Sequence, residues 1–220
     1  MRIGLFGGTF DPIHLGHLRS AEEVRETFSL DRVVFIPAAR PPLKKRRPAA
    51  PAEDRLKMAR LAISRNPGFT LSDVEFKRSG KSYSIDTVRY YARRHRGDSL
   101  YFIVGLDAFR DIGSWKDVQS LFGLCNFIAT SRPGSGDSFT LESIPVAVRG
   151  GFCYDRATQS FQHYSGTRLF FTRITDIGIS ASEIRARLSR GKSIRYLVPG
   201  GVEAYIEKRG LYGRPLEGRS

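Results

Sequence analysis

Short apolar, β-rich runs alternate with longer helical stretches along this chain, and that alternation is what most limits its fold. Parallel neighbouring strands need a crossover long enough to hold a helix, so the pattern reads as successive βαβ units. The expected architecture is α/β and Rossmann-like, a mainly parallel sheet with helices on both faces. Strands are expected over residues 2–6, 33–36, 69–74, 100–104, 125–130 and 168–173, and helices over 15–28, 52–65, 84–95, 115–122, 180–190 and 199–208. The unbroken apolarity of Tyr101, Phe102, Ile103 and Val104 marks a strand buried on both faces. Residues 131–167, punctuated by Pro133, Gly134, Gly136, Gly150 and Gly151, read as irregular chain with a hairpin near 152–164. Helix ends are signposted. Ser180 and Glu183 form an S-x-x-E capping box, and Gly191 and Gly210 are placed to end helices in left-handed turns.

A length of 220 residues suits one α/β domain over 1–220, with the last few residues expected as a flexible tail. Hydrophobic residues at 40% and charged residues at 26% exclude a disordered or fibrous chain. No apolar run approaches the roughly 20 residues of a spanning helix, and Met1 to Phe6 lead into glycines rather than a signal-peptide core, so a cytoplasmic protein without a membrane partner is expected. Cys125 and Cys153 have neither the spacing of a zinc site nor that of a disulfide framework. The net charge of +14 is spread along the chain, with arginines at surface-like helical positions such as Arg55, Arg60 and Arg65 or Arg185, Arg187 and Arg190. Such a surface attracts anionic nucleotides as readily as nucleic acid. Without an aromatic-interleaved basic motif, a non-catalytic nucleic-acid-binding module is the competing class, and no nucleic-acid partner is expected. One segment, Arg40 to Pro48, is a proline-stiffened basic loop containing Lys44 and Lys45.

The chemistry concentrates where the first strand runs into Gly7, Gly8, Thr9, Phe10, Asp11, Pro12, Ile13, His14, Leu15, Gly16 and His17. Paired glycines at the carboxyl end of a strand let backbone approach a ligand, and the helix that follows directs its positive end at phosphate. His14 and His17 are three apart, so both imidazoles share one helix face and can reach one phosphate. Two imidazoles suit an oxyanion that gains charge in a transition state. The rival ligand, zinc, lacks an acidic or cysteine third donor at a helical spacing, so no metal site is indicated. Near the carboxyl end, Ile179, Ser180, Ala181, Ser182, Glu183, Ile184 and Arg185 open a capped helix whose N–H groups, hydroxyl and guanidinium can clamp a phosphate. Equally, Ser180 can be a simple N-cap and Arg185 an exposed side chain.

The first string resembles the G-x-F-x-P-x-H-x-G-H signature of the adenylyltransferases related to class I aminoacyl-tRNA synthetases, and the second resembles their I-S-x-x-x-I-R motif. The resemblance implies a nucleotidyltransferase fold, ATP as co-substrate with Mg²⁺ carried on its phosphates, and direct in-line attack on the α-phosphorus without a protein nucleophile. It places Gly7, Gly8, Thr9, Phe10, Gly16, Gly105, Asp107, Ile179, Ser180 and Arg185 around ATP, and His14, His17, Lys44 and Arg185 around the developing charge. Branches of this family use nicotinate mononucleotide, nicotinamide mononucleotide, phosphopantetheine or small alcohol phosphates as acceptors. Here Ser82 to Thr87 resembles the S-Y-T-x-x-T stretch of bacterial nicotinate mononucleotide adenylyltransferases, and Gly105 to Ala108 resembles their G-x-D segment. Trp115 falls where that branch stacks the pyridine. Nicotinate mononucleotide is therefore the implied acceptor, along Tyr83, Ser84, Asp107, Trp115 and Lys44, in the biosynthesis of NAD. On physical grounds alone Trp115 is as well explained by core packing. Two departures stand out: the branch's P-P-H-K is Pro41, Pro42, Leu43 and Lys44 here, without the histidine, and Ser84 replaces a threonine. A homo-oligomer is compatible with the sequence.

Overall fold

A computed structural model describes residues 1–42, 49–131 and 139–213. Lys44 and Lys45 lie outside the described residues, as does the tail expected at the carboxyl end. Among the described residues the strands are β1 (Arg2–Gly8), β2 (Arg32–Pro37), β3 (Phe69–Leu71), β4 (Ser99–Gly105), β5 (Asn126–Ser131), β6 (Phe152–Asp155), β7 (Ser160–His163) and β8 (Arg168–Arg173). The helices are α1 (Leu15–Thr27), α2 (Ala52–Ile63), α3 (Ser84–Arg94), α4 (Leu106–Arg110), α5 (Val118–Leu124), α6 (Val146–Arg149), α7 (Ala181–Ser189) and α8 (Gly200–Arg209). The strands form one sheet in the order β3-β2-β1-β4-β5-β8-β7-β6. All pairings from β3 across to β8 are parallel, and β7 and β6 add an antiparallel edge.

Strand β4 shows why the sheet is covered twice. Its side chains alternate between faces, so Phe102 and Val104 join a core with Val88, Phe109 and Leu121, while Tyr101 and Ile103 join another with Val24, Met58, Ile184 and Ile206. Both faces are apolar, and helices α3, α4 and α5 cover one while α1, α2, α7 and α8 cover the other. The chain builds outward from β1 through β2 to β3, then returns to place β4 on the other flank of β1. This reversal opens a crevice at the carboxyl ends of β1 and β4, the position at which doubly wound sheets bind ligands.

Three expectations need correction. The strand expected over 69–74 ends at Leu71, because Asp73 turns the chain (Phe76 N–H to Asp73 carbonyl, 2.9 Å) and Val74 drops into the core. The helix expected over 115–122 divides differently: α4 and a 3-10 turn at Ile112–Ser114 come first, Trp115 is extended, and α5 begins only after Asp117 at φ 52°. A five-residue helix such as α4 is too short to display a helical period. Arg55 is not at a surface position: it is 1% exposed. The hairpin near 152–164 is present as β6 and β7, and α7 and α8 end as expected at Gly191 (φ 67°) and Gly210 (φ 59°). Among the described residues no helix is long and apolar enough to cross a membrane.

Candidate active site

The turn after β1 is shaped by contacts that only glycine permits. A Cβ on Gly8 would lie 2.8 Å from the Phe10 ring, so Phe10, buried at φ 48°, folds back over the strand end. Its edge meets the His17 ring at 5.1 Å between centroids. His14 caps α1: its backbone N–H donates to His17 Nδ1 at 3.2 Å, which leaves the proton of a neutral His17 on Nε2. The two imidazoles stack at 3.7 Å and 29°. Gly16 preserves that stack, since a Cβ there would sit 3.1 Å from His14 Nδ1.

His14, Gly16 and His17 line a cavity of about 380 Å³ with Gly7, Gly8, Phe10, Gly105, Asp107 and Ser180. The amino-terminal and carboxyl-terminal motifs, far apart in sequence, therefore meet at one cavity, where a Cβ on Gly16 would lie 3.7 Å from the Ile179 carbonyl. Ser180 takes the capping role, its Oγ accepting the Glu183 N–H at 3.1 Å at the start of α7, and lies at the cavity where the phosphate role would be exercised. Asp107 lies in the first turn of α4 with its carboxylate almost fully exposed. Two expected contacts sit elsewhere: Ile179 is buried in the core, and Thr9 lines the neighbouring cavity.

That second cavity, of about 640 Å³, shares Gly7, Gly8 and Gly105 with the first. Tyr83 and Ser84 border it at the start of α3, and Trp115 forms part of its wall. Trp115 is half-buried, with its indole edge-on to Phe102 at 5.9 Å, so it packs on the core and also presents surface to the cavity. Lys116, not anticipated from the sequence, holds its ammonium 4.6 Å from the Tyr83 ring centroid and 3.9 Å from Asp86. Its position beside Trp115 was the available signal. The start of α3 is pinned to the segment after β2 by a reciprocal pair: Arg40 N–H donates to Ser82 Oγ at 3.0 Å, and Ser82 N–H to the Arg40 carbonyl at 2.9 Å. Glu75 buttresses the same helix by accepting the Thr87 hydroxyl at 2.7 Å, and burial pushes its carboxyl pKa up. No spacing in the sequence announces Glu75.

Behind both cavities, two buried charges hold the loops. Arg55 donates to the carbonyls of Thr9 (2.8 Å), Ala38 (2.6 Å) and Ala39 (3.2 Å), while burial draws its pKa down and Asp11 opposes that shift. Asp11, 3% exposed, accepts the N–H groups of Ala49 (2.8 Å) and Ala50 (3.0 Å) and the hydroxyl of Tyr212 (2.8 Å). Arg185 lies against the same residue, donating to the Asp11 carbonyl at 2.6 Å. Among the described residues no three His, Cys, Asp or Glu side chains are grouped to hold a metal ion.

Residues 5–187 match the cytidylyltransferase-like family. A relative from Citrifermentans bemidjiense named "Probable nicotinate-nucleotide adenylyltransferase" is 49% identical over 212 residues, covering 96% of this chain and 98% of its own. A relative of the same name from Geobacter sp. (strain M21) is 50% identical over the same share of each chain. Among solved structures, a Plasmodium falciparum nicotinic acid mononucleotide adenylyltransferase complexed with NaAD superposes with a TM-score of 0.71 over 96% of this chain and 97% of that one, at 20% identity. The same enzyme complexed with APC gives a TM-score of 0.67 over 96% of each chain, at 19% identity. These two share the fold. Identity near one half across almost the full length, together with the two motifs facing one cavity, places the chain in the nicotinate-nucleotide adenylyltransferase branch of the cytidylyltransferase-like family.

Proposed function

We propose that the protein joins ATP and nicotinate mononucleotide to give nicotinate adenine dinucleotide and pyrophosphate, a step in making NAD. The observation that carries this is the pair of cavities meeting at Gly7, Gly8 and Gly105, since a reaction between two nucleotides needs two sites with a shared border. ATP occupies the first cavity as its Mg²⁺ complex, the metal held by phosphate oxygens and water; this suits a wall without a grouped set of metal-binding side chains among the described residues. The acceptor occupies the second, its pyridine on the Trp115 indole and its carboxylate toward the N–H groups at the start of α3 and the Lys116 ammonium.

An oxygen of the acceptor phosphate attacks the α-phosphorus; as that bond forms, the bond to the β-phosphate bridging oxygen breaks and pyrophosphate leaves with the electron pair. The protein's work is alignment and charge stabilisation. His17, with its Nε2 proton, and His14 act on phosphate oxygens beside the helix start of α1, and Ser180 with the N–H groups of α7 acts on the same phosphates from the carboxyl-terminal segment of the lining. Arg185 and Lys44 supply further positive charge, Arg185 after leaving the Asp11 carbonyl. The test is to incubate protein, ATP and Mg²⁺ with nicotinate mononucleotide, nicotinamide mononucleotide or phosphopantetheine in turn and follow pyrophosphate. Release that depends on the nicotinate compound is expected; release with neither pyridine nucleotide would sink the proposal.

A further inference from the structure

Tyr212 lies beyond α8, outside every motif, yet its hydroxyl reaches the turn that opens the ATP cavity. It donates to Asp11 Oδ1 at 2.8 Å, an oxygen that also accepts the Ala50 N–H at 3.0 Å. Oδ2 accepts the Ala49 N–H at 2.8 Å and is left facing Arg185 Nη1 at 3.9 Å. The Asp11 side chain is 4% exposed, so its rotation is fixed by these partners rather than by water. Arg185 is half-buried and makes its short contact, 2.6 Å, with the carbonyl of the same residue. Tyr212 itself is half-buried with φ 64°, and its ring packs against the core cluster that contains Met58 and Ile206, a contact that a phenylalanine keeps.

We propose that Tyr212 is a positioning residue for ATP: with the Ala49 and Ala50 N–H groups it fixes which way the Asp11 carboxylate faces, and so holds the Arg185 guanidinium, on the helix that Ser180 caps at the phosphate cavity, ready to transfer from the Asp11 carbonyl to a phosphate. The proposal rests on the reading that ATP phosphates lie between the His14–His17 turn and α7. Arginine carries considerable rotamer entropy, and a side chain already held near its target loses less on binding. Burial and the neighbouring Asp11 charge keep the Tyr212 hydroxyl protonated, so the donor persists across the whole working pH range.

Binding of ATP with Mg²⁺, measured by calorimetry without acceptor, tests this in a cycle of Tyr212→Phe, Arg185→Ala and the double variant. Tyr212→Phe should weaken ATP binding about tenfold, the size of one hydrogen bond to a charged group. In the Arg185→Ala background the same change should cost less than twofold, because the group it positions is gone. A merely structural tyrosine would cost the same in both backgrounds, and that result, or an unchanged affinity in the single variant, overturns the proposal. Asp11→Asn keeps the side chain's shape, tests the link from its other end, and should show the same dependence on Arg185. Because acceptor is absent, a protein that binds ATP in this pattern and yet makes no dinucleotide would overturn the acceptor assignment and leave the role of Tyr212 standing.

Discussion

At the scale of single residues, three side chains carry separable consequences. His17 lines the cavity proposed for ATP, with its Nδ1 already committed to the His14 N–H. His17→Ala should lower kcat about a hundredfold or more, the usual cost of one preorganised donor to a developing oxyanion, while stability falls by only about 1 kcal/mol for the lost cap on the His14 N–H. Steady-state kinetics beside a melting curve checks both halves. Arg55 behaves in the opposite way: removing it strands the carbonyls of Thr9, Ala38 and Ala39 and leaves Asp11 without a buried counter-charge. Arg55→Ala should cost about 3 kcal/mol or more in a denaturant titration. Glu75 gives a pH signature. Burial raises its carboxyl above the ordinary value of 4.5, so the folded state holds the proton more tightly than the unfolded one. That contribution is complete below 4.5 and is lost as pH rises through the raised value. The stability of the unaltered protein relative to Glu75→Gln should therefore fall with rising pH across that window, and a flat difference would contradict the burial argument.

At the scale of elements, helix starts and strand ends do the positioning, and they differ in how plainly the sequence shows them. The β1 to α1 turn was legible because glycines, histidines and strand–helix order coincide within eleven residues, Gly7 to His17. The start of α7 was legible because a serine cap, a glutamate and an arginine follow at fixed intervals. The acceptor side was less so. The sequence pattern predicts a helix from Trp115, whereas Gly113 packs so closely on Ala147 that a Cβ would lie 2.9 Å away, and Asp117 takes a left-handed φ. The first is a tertiary contact that no local spacing reveals, and Trp115, extended between the two, lines the cavity. Glu75 and Arg55 were hidden for the same reason: a charged residue signals an exposed face until its buried partners are known. For the acceptor-side elements, Trp115→Ala should raise KM for nicotinate mononucleotide about tenfold, the scale of one lost aromatic stack, and leave KM for ATP unchanged. Equal effects on both would mean that the indole supports the core rather than the acceptor.

At the scale of the whole molecule, the sheet order decides where two ligands can meet. Strands β2 and β4 flank β1 on opposite sides, so the loops that follow β1 and β4 part at their carboxyl ends, and Gly7, Gly8 and Gly105 form the shared floor of both cavities. The carboxyl-terminal segment then closes back on the first turn through Tyr212 and Asp11, linking chain regions 201 positions apart. On the proposed reading this floor aligns an acceptor phosphate with the α-phosphorus of ATP. ATP radiolabelled at the α-phosphate, incubated with the protein, Mg²⁺ and nicotinate mononucleotide, tests it most directly. The label should pass into nicotinate adenine dinucleotide, with unlabelled pyrophosphate formed in equal amount; label recovered in free AMP, attached to the protein, or left in ATP would contradict direct transfer between the two cavities.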